Sequence, residues 1–358
     1  MNLNEVLNIP QYSLRSSDKS NTMFELIHEL HKHHLSNCSN YSIWNKIVFG
    51  ENKILSSLED FPYIPVSAFK NYNFKSIPDL DVYKVLTSSG TTGQDVSKIY
   101  LDKETAKLQS LSLSKIIGHV IGNSRLPMLI IDSKSIFSNK QSFSARGAGI
   151  LGLSVFGKEH TYVLNEKYEI NEDVLSDFLE KNNGRPFLIF GFTFMIWLYL
   201  YQAKLKKKYD LSQAILIHSG GWKKLNDQSV DNETFKNVLR DKFMLINIYN
   251  FYGMVEQVGS VFLENAKGYL HCPNFADVLI RNPVDFSIQP HGKEGLIQVI
   301  SALPRSYPGH SLLTEDIGVV MGEDDLNCGW NGKYFKIIGR AKKAELRGCS
   351  DTFNQTNL

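Results

Sequence analysis

The chain has 358 residues, of which 42% are hydrophobic and 21% are charged, enough for one large α/β unit or for two or three average domains. Its formal net charge of +2 at pH 7 gives no electrostatic reason to expect a nucleic acid or a membrane surface as a partner. The cysteines show no metal-site spacing, and we expect free thiols in a reducing, cytoplasmic compartment. The N-terminus lacks a basic region followed by an apolar one, so no secretory signal is expected.

The first strong pattern is helical and covers residues 21–35, where apolar residues recur at the spacing of an amphipathic helix. Within it, His28, His31 and His34 share one face. A metal site on that face is conceivable. A solvated helix face is the favoured interpretation, because no carboxylate or cysteine ligand accompanies the histidines at close spacing.

Downstream of the proline-punctuated connector "EDFPYIPVSAFK", short apolar runs alternate with helical patterns. The predicted strands are "VYKVLTSS", "LPMLIID", "PFLIFGF", "AILIHSG", "LINIYNFYG" and "GLIQVISALP", and the predicted helices are "DKETAKLQSLSLSKIIGHVI", "TFMIWLYLYQAKLKKKY" and "NETFKNVLRDKF". Near-continuous apolar strands separated by helices indicate an α/β fold with a largely parallel sheet and helices on both faces. From about Gly295 onward short strands dominate and end in "KYFKIIGR", which predicts a small β subdomain.

These patterns predict four segments. Residues 1–80 form an N-terminal helical and extended region, 81–294 an α/β nucleotide- and acyl-binding core, 295–340 the β subdomain, and 341–358 a mobile tail. The most apolar stretch, "PFLIFGFTFMIWLYLY", is shorter than the roughly 20 residues of a membrane-spanning helix. It is interpreted as a buried strand that runs into a buried helix.

The sharpest local motif is "LTSSGTTGQDVSK", in which hydroxyl side chains and glycines follow a predicted strand. Successive backbone N–H groups and hydroxyls can surround an anion, and Lys98 adds a positive charge. The motif is not a Walker A loop, and a solvated turn rich in serine and threonine is the alternative. Another glycine motif, "GAGILG", follows no apolar strand, so its glycines are assigned to turns and packing instead of a dinucleotide site.

Together, "TSSGTTG", "HSGGWKKL", "NFYGMVEQ", "SALPRSYPGHSLLTEDIG" and "AELRGCSD" occur in an order that resembles the adenylate-forming ligase superfamily. The resemblance is greatest to its acyl-protein synthetase branch, the LuxE-type component of the bacterial fatty acid reductase complex of bioluminescence. It implies the fold of the superfamily's N-terminal domain, with the swinging C-terminal domain absent or reduced to a short tail. It also implies ATP and Mg²⁺ as cofactors and the conversion of a fatty acid to an acyl-adenylate.

The resemblance also implies roles for individual residues. The residues that would bind ATP are Thr87, Ser88, Ser89, Gly90, Thr91, Thr92, Gly93, Gly220, Gly221, Asn250, Tyr252, Gly253 and Asp316. Within that set the loop 87–93 would hold phosphates, Tyr252 would stack on adenine, and Asp316 would take the ribose hydroxyls. Glu256 matches the Mg²⁺-binding glutamate, Arg340 the arginine before the hinge, and Lys98 would assist catalysis.

In the same branch the cysteine of "RGCSD", here Cys349, is the acyl acceptor, and a thiolate is a strong nucleophile toward an acyl-adenylate. The acyl group would then pass to a reductase subunit, and an acyl-transferase subunit is a further possible partner. Phe192, Phe194 and Trp197 are candidates for one wall of the acyl pocket, with core packing as the alternative.

Three departures from the superfamily pattern stand out: Val255 replaces a threonine, Glu315 replaces a glycine, and the catalytic lysine of the C-terminal domain has no counterpart. Two alternatives to a Cys349-dependent synthetase stay open. One is a stand-alone ligase resembling phenylacetate-CoA ligase, which would pass acyl groups to coenzyme A or a carrier. The other is a non-catalytic scaffold subunit that only holds a reductase.

Overall fold

The computed structural model describes residues 1–50, 53–88, 96–137, 145–222 and 228–341. These residues fall into two compact units. Unit 1 combines Met1–Ile116 with the described residues from Gly253 onward, and unit 2 is Ile117–Tyr252. The four-segment division made from the sequence remains a prediction.

The helices lie in both units. In chain order they are α1 (Leu3–Asn8), α2 (Ser16–Asn37), α3 (Ser39–Val48), α4 (Ala68–Asn71), α5 (Lys103–Ile121), α6 (Ala145–Ser154), α7 (Glu172–Lys181), α8 (Thr193–Met195) and α9 (Asn232–Phe243). Short 3₁₀ turns occupy Leu58–Asp60, Asp79–Asp81, Lys134–Phe137 and Val255–Gln257. Among the described helices, none combines the length and the apolar character that crossing a bilayer requires.

The strands are β1 (Ile64–Pro65), β2 (Lys84–Thr87), β3 (Lys98–Leu101), β4 (Leu126–Ser133), β5 (Gly157–Leu164), β6 (Phe187–Phe192), β7 (Ala214–Ser219), β8 (Asn247–Tyr252), β9 (Phe262–Glu264), β10 (Leu270–His271), β11 (Ala276–Arg281), β12 (Gly295–Ser301), β13 (Ser311–Glu323) and β14 (Lys333–Arg340). The strands predicted from the sequence therefore all form. The predicted α/β class is confirmed.

Unit 2 is built on a parallel sheet in the order β5-β4-β6-β7-β8. The three central strands, β4, β6 and β7, are mostly buried and nearly continuous in apolar residues, as expected for parallel strands. Alternate residues such as Leu129, Ile189 and Leu216 pack against side chains of α7, α8 and α9 to form one apolar core. The apolar stretch after residue 186 is thus a buried strand followed by a buried helical segment, as predicted.

The helical segment after β6 is shorter than its sequence pattern predicts. α8 continues directly into a π-helical segment, Ile196–Tyr201, and ends there. The lysines between residues 204 and 208 follow this end. Like charges on one helical face repel one another, which opposes continuation of the helix.

Unit 1 contains an antiparallel sheet in the order β11-β12-β13-β14-β10-β9, with β1 added in parallel to β13. The separate hairpin β2–β3 belongs to the same unit. Strand β13 is the longest described strand and is paired on both sides. It therefore provides a rigid support for the residues of "LLTEDIG".

The interpretation of the α2 histidines as a solvated face is wrong, because His31 and His34 are 7% and 0% exposed. His34 Nε2 lies 3.0 Å from the Pro304 carbonyl and Nδ1 lies 2.7 Å from Ser76 Oγ, while His31 Nδ1 lies 2.8 Å from Tyr41 Oη. Burial lowers the pKa of His34 to about 3 and that of His31 to about 4. The helical spacing was identified correctly, but it does not reveal which face is covered.

Candidate functional site

The base of the predicted phosphate loop is a closed hairpin in unit 1. Ser88 N–H donates to the Ser97 carbonyl at 3.1 Å, and Ser97 N–H donates to Ser88 Oγ at 2.9 Å. Thr87 and Lys98 are opposite partners on β2 and β3, and both are exposed. The predicted loop residues Ser89, Gly90, Thr91, Thr92 and Gly93 lie outside the described residues. The hairpin thus holds Ser88 and Ser97 next to each other.

Glu256 lies on the 3₁₀ turn Val255–Gln257, which follows Gly253 in unit 1. The buried amide of Gln257 fixes this turn, because Nε2 donates to the Gly309 carbonyl at 2.9 Å and to the Val299 carbonyl at 3.4 Å. Removal from water raises the pKa of Glu256, and the charge of Glu315 raises it further. The neighbouring Ser97 hydroxyl and the Lys70 charge act in the opposite direction.

Two buried hydroxyls beside Glu256 test whether this region suits a divalent cation bound to phosphate. Ser97 and Tyr307 are both buried, and Tyr307 Oη has no hydrogen-bond partner within the described part of the chain. Burial raises the pKa of Tyr307, and the charge of the nearby Glu256 raises it further. A buried hydroxyl such as that of Tyr307 is expected next to a polar ligand.

The described residues contain no group of three or more histidine, cysteine or acidic side chains arranged to hold a metal ion. Mg²⁺ does not require such a group, because it commonly uses one or two carboxylates together with phosphate oxygens and water. Glu256 with its two neighbouring hydroxyls therefore fits a magnesium ion that arrives with a nucleotide, and it does not fit a metal held by protein ligands alone.

Asp316 and Arg340 are brought together by strand pairing in unit 1. They are opposite partners on β13 and β14, and Arg340 Nε lies 3.3 Å from Asp316 Oδ1. Arg340 Nη2 also lies 3.1 Å from Glu315 Oε2. One guanidinium therefore contacts two consecutive carboxylates. The sequence pattern paired neither acid with Arg340 and treated Glu315 only as a departure from a glycine.

A bulge in β13 explains how two consecutive side chains reach the same partner. Leu296 pairs with Ile317 and Gln298 pairs with Leu313, so the segment Thr314–Asp316 holds two residues more than the facing part of β12. Thr314 Oγ1 donates to the Ile297 carbonyl at 2.8 Å and accepts from Asp316 N–H at 3.1 Å. Bulges break the alternation of side chains and are common beside active sites.

In unit 2, the predicted adenine-binding residues lie at the carboxyl ends of two neighbouring parallel strands. Asn250 is the register partner of His218, and Ser219 Oγ donates to the Phe251 carbonyl at 2.9 Å. Gly220 follows β7, and Tyr252 ends β8 with a half-buried ring. Ligands of parallel α/β sheets bind at this edge, and Gly221 has open space around its α-carbon.

The predicted acyl-pocket residues are not equivalent. Phe194 and Trp197 are 2% and 7% exposed and belong to the core of unit 2. The ring of Phe192 instead lies at the margin of this core, between two glycines. A β-carbon on Gly149 would come within 2.8 Å of the ring, and one on Gly220, whose φ is +84°, within 3.1 Å. Gly149 belongs to "GAGILG" and lies inside α6, so the packing role proposed for that motif is correct and the turn is not.

Other functional candidates were missed by the sequence analysis. Ser97, Gln257 and Tyr307 all lie in segments that it singled out, but their side chains had no assigned role. Cys349 lies outside the described residues. Buried polar side chains close to a motif were the available signal, and the sequence alone does not reveal burial.

Comparison with solved structures identifies the fold. A 2-hydroxyisobutyryl-CoA ligase in complex with 2-HIB-AMP and CoA aligns with a TM-score of 0.70 at 15% identity, over 92% of this chain and 76% of that chain. An ATP-bound RpMatB-BxBclM chimera aligns with a TM-score of 0.50 at 15% identity, over 74% of this chain and 49% of the other. The fold is thus that of the adenylate-forming ligases, as the resemblance predicted.

Comparison with sequence families gives the narrower assignment. The family "Acyl-protein synthetase, LuxE" matches residues 4–357, and the chain belongs to this family of enzymes. A long-chain-fatty-acid–luciferin-component ligase of Vibrio harveyi is 23% identical over 96% of this chain and 90% of its own length. The ligase of the same name from Aliivibrio fischeri is 24% identical over 83% of this chain and 78% of its own length. The family predicted from the motifs is confirmed.

Proposed function

We propose that this enzyme activates a long-chain fatty acid with ATP and carries the acyl group on Cys349. In the first step a carboxylate oxygen of the fatty acid attacks the α-phosphorus of ATP. The bond from that phosphorus to the bridging oxygen breaks, which yields acyl-adenylate and pyrophosphate. In the second step the Cys349 thiolate attacks the acyl carbon, and AMP leaves with the electrons of the broken bond. The thiol proton is lost to solvent or to a nearby base.

One observation carries this proposal: polar residues of unit 1 in the segments that carry the family's nucleotide motifs lie near one another. The Ser97 hydroxyl neighbours Glu256, and the charge of Glu256 interacts with that of Glu315. Glu315 and Asp316 both contact Arg340. Motifs separated by more than 200 residues of sequence would be brought together in this way by a nucleotide site, whereas unrelated turns have no reason to converge.

The proposed roles follow from the charge that develops in the reaction. The α-phosphate and the departing pyrophosphate are anionic, so loop N–H groups and Lys98 would stabilise them. Glu256 would hold Mg²⁺, which supplies further charge neutralisation when bound. Asp316 would accept hydrogen bonds from the ribose hydroxyls, Arg340 would position Asp316, and Tyr252 with Asn250, Gly220, Gly221 and Gly253 would bind the adenine.

The acyl side of the proposal rests on unit 2 and on the names of the relatives. Both curated relatives are long-chain-fatty-acid ligases by name, which supports a long acyl substrate here. Of the three predicted pocket residues, Phe192 is the most exposed, while Phe194 and Trp197 would support it from the core. The thioester would then be delivered to a fatty acid reductase subunit for reduction to the aldehyde, with an acyl-transferase subunit as a further partner.

The decisive experiment incubates the protein with ATP, Mg²⁺ and radiolabelled tetradecanoate. We expect label on the protein that hydroxylamine removes and that Cys349→Ser abolishes. The matched control is Cys328→Ser, which removes a described free thiol and should leave labelling intact. Label that survives Cys349→Ser would contradict the acceptor assignment. Pyrophosphate release without protein label would favour a ligase with a free acceptor, and no turnover would favour a scaffold.

A further inference from the structure

The arrangement of Arg340 between two acidic side chains raises a question about nucleotide binding. Asp316 is the residue proposed to bind the ribose, yet Arg340 Nε lies 3.3 Å from its Oδ1. Arginine and a carboxylate readily form a bidentate pair with two parallel hydrogen bonds. A fully bidentate pair with Asp316 would occupy the oxygens that the ribose hydroxyls need.

Glu315 provides a second acceptor for the same guanidinium. Its Oε2 lies 3.1 Å from Arg340 Nη2, and its backbone carbonyl accepts from Ala341 N–H at 2.9 Å. Both the side chain and the backbone of Glu315 therefore hold the end of β14. The three side chains are between one fifth and one third exposed, so they are accessible to a ligand.

The local backbone maintains this sharing. The bulge Thr314–Asp316 turns two consecutive acidic side chains toward one partner, and Thr314 Oγ1 fixes the Asp316 N–H. Arg340 is paired with Asp316 in the register of β13 and β14, so the two side chains project from the same face of the sheet. A glycine at position 315 would remove one of the two carboxylates that this guanidinium contacts.

We propose that Glu315 is a positioning residue that draws part of the Arg340 guanidinium away from Asp316 and thereby keeps Asp316 oriented for the ribose hydroxyls. This inference rests on the proposed function, because it takes ATP as the nucleotide. Glu315 would thus favour the binding of ribonucleotides indirectly, through the orientation of Asp316. Without Glu315, Arg340 turns onto Asp316 and competes with the ribose.

The test measures equilibrium binding of Mg·ATP and of Mg·2′,3′-dideoxy-ATP by calorimetry in the wild type and in Glu315→Gln. The variant keeps the size of the side chain and removes its charge. We expect Glu315→Gln to weaken ATP binding by about tenfold, the effect of losing charge-assisted hydrogen bonds. Binding of the dideoxy analogue, which has no ribose hydroxyls, should change by less than about twofold, because Asp316 has nothing to bind there.

Two further variants distinguish positioning from general damage. Glu315→Asp retains the charge on a shorter side chain and should recover part of the ATP affinity. Glu29→Gln removes another exposed arginine–glutamate pair of unit 1, in which Arg305 Nη1 lies 3.0 Å from Glu29 Oε1. This variant should bind both nucleotides with the affinity of the wild type. Circular dichroism should show all variants folded.

The inference is overturned if Glu315→Gln leaves ATP affinity unchanged, or if both nucleotides weaken equally. Fatty-acid-dependent pyrophosphate exchange by the wild type is measured in parallel. Exchange in the wild type together with an unchanged Glu315→Gln affinity would reject this inference and retain the proposed function. A wild type that binds no ATP would reject both.

Discussion

The polar cluster of unit 1 and the aromatic region of unit 2 differ in how clearly their side chains indicate function. In unit 1, Glu315 and Asp316 on the bulged strand β13 form a partly exposed group of charges with Arg340 of β14. In unit 2, Phe192 lies against two glycines at the edge of an apolar core. Charges gathered at an irregular backbone have few structural uses. Aromatic rings at the margin of a core have many structural uses, so the position of Phe192 alone indicates its function less clearly.

The same contrast predicts whether a substitution affects the use of ATP or the use of the fatty acid. Substitutions in the polar cluster should lower ATP affinity or the rate of adenylate formation to the same extent with every fatty acid. Changes around Phe192 should alter the dependence on acyl chain length and leave ATP affinity unaffected.

The largest effect is expected for Glu256→Gln. If Glu256 holds Mg²⁺ beside the phosphates, loss of its charge should lower kcat for adenylate formation by about 10²–10³-fold, as for other groups that stabilise developing charge. Fatty-acid-dependent pyrophosphate exchange measures this rate at several Mg²⁺ concentrations. Glu323→Gln, at the far end of β13, is the matched control and should behave like the wild type. An active Glu256→Gln with normal Mg²⁺ dependence would remove Glu256 from the proposed site.

An intermediate effect is expected for Gly149→Ala in unit 2. The new β-carbon would lie 2.8 Å from the Phe192 ring, so the ring must move. If Phe192 lines the acyl site, kcat/KM for tetradecanoate should fall about tenfold relative to octanoate, within the range for a methylene-sized change in a pocket. The KM for ATP should stay the same.

The matched control for that substitution lies on the same helix. Within the described part of the chain, no atom lies within 4 Å of a β-carbon added to Gly152, and Gly152→Ala should leave the chain-length profile unchanged. Identical profiles for Gly149→Ala and the wild type would assign Phe192 to core packing alone.

The smallest effect concerns acid stability in unit 1. Burial lowers the pKa of His34 to about 3, so the unfolded chain, with a pKa near 6.5, binds the proton more readily. The stabilising effect of the neutral form is complete above the unfolded pKa and declines as pH falls toward the folded pKa. From pH 7.5 to pH 6 we expect His34 to account for about 1 kcal/mol of lost unfolding free energy.

Urea titrations of the wild type and of His34→Gln at the two pH values measure this contribution. His34→Gln should lose about 1 kcal/mol less than the wild type over the same interval. His291→Gln changes an exposed histidine of the same unit and should follow the wild type. Equal pH responses in His34→Gln and the wild type would show that His34 is not the acid-sensitive group.

Much of the framework could be predicted because it follows from local pattern. The apolar run of β6 and the "KYFKIIGR" segment form strands close to their predicted bounds, since burial on both faces or alternation leaves a clear signature. The roles assigned to Glu256, Asp316 and Arg340 from residue type and order in the chain remain predictions. The contacts of Glu315 and Asp316 with the one guanidinium of Arg340 were not predicted, because they depend on strand register and on a bulge.

The errors share a physical cause, which is that helical spacing shows that a face exists but not what covers it. The histidines of α2 were assigned to solvent, yet His34 is buried against the segment that carries Tyr307 and His310. In the same way, Gly149 was placed partly in a turn and instead makes room for Phe192 inside a helix. Both outcomes depend on contacts between elements far apart in sequence.

The most direct test of the central claim, that the enzyme adenylates a fatty acid, is ATP–pyrophosphate exchange measured with and without tetradecanoate. We predict Mg²⁺-dependent exchange that requires the fatty acid and persists in Cys349→Ser, because adenylation precedes acyl transfer. Exchange that is absent with every fatty acid tested, or that proceeds equally without one, would contradict the claim.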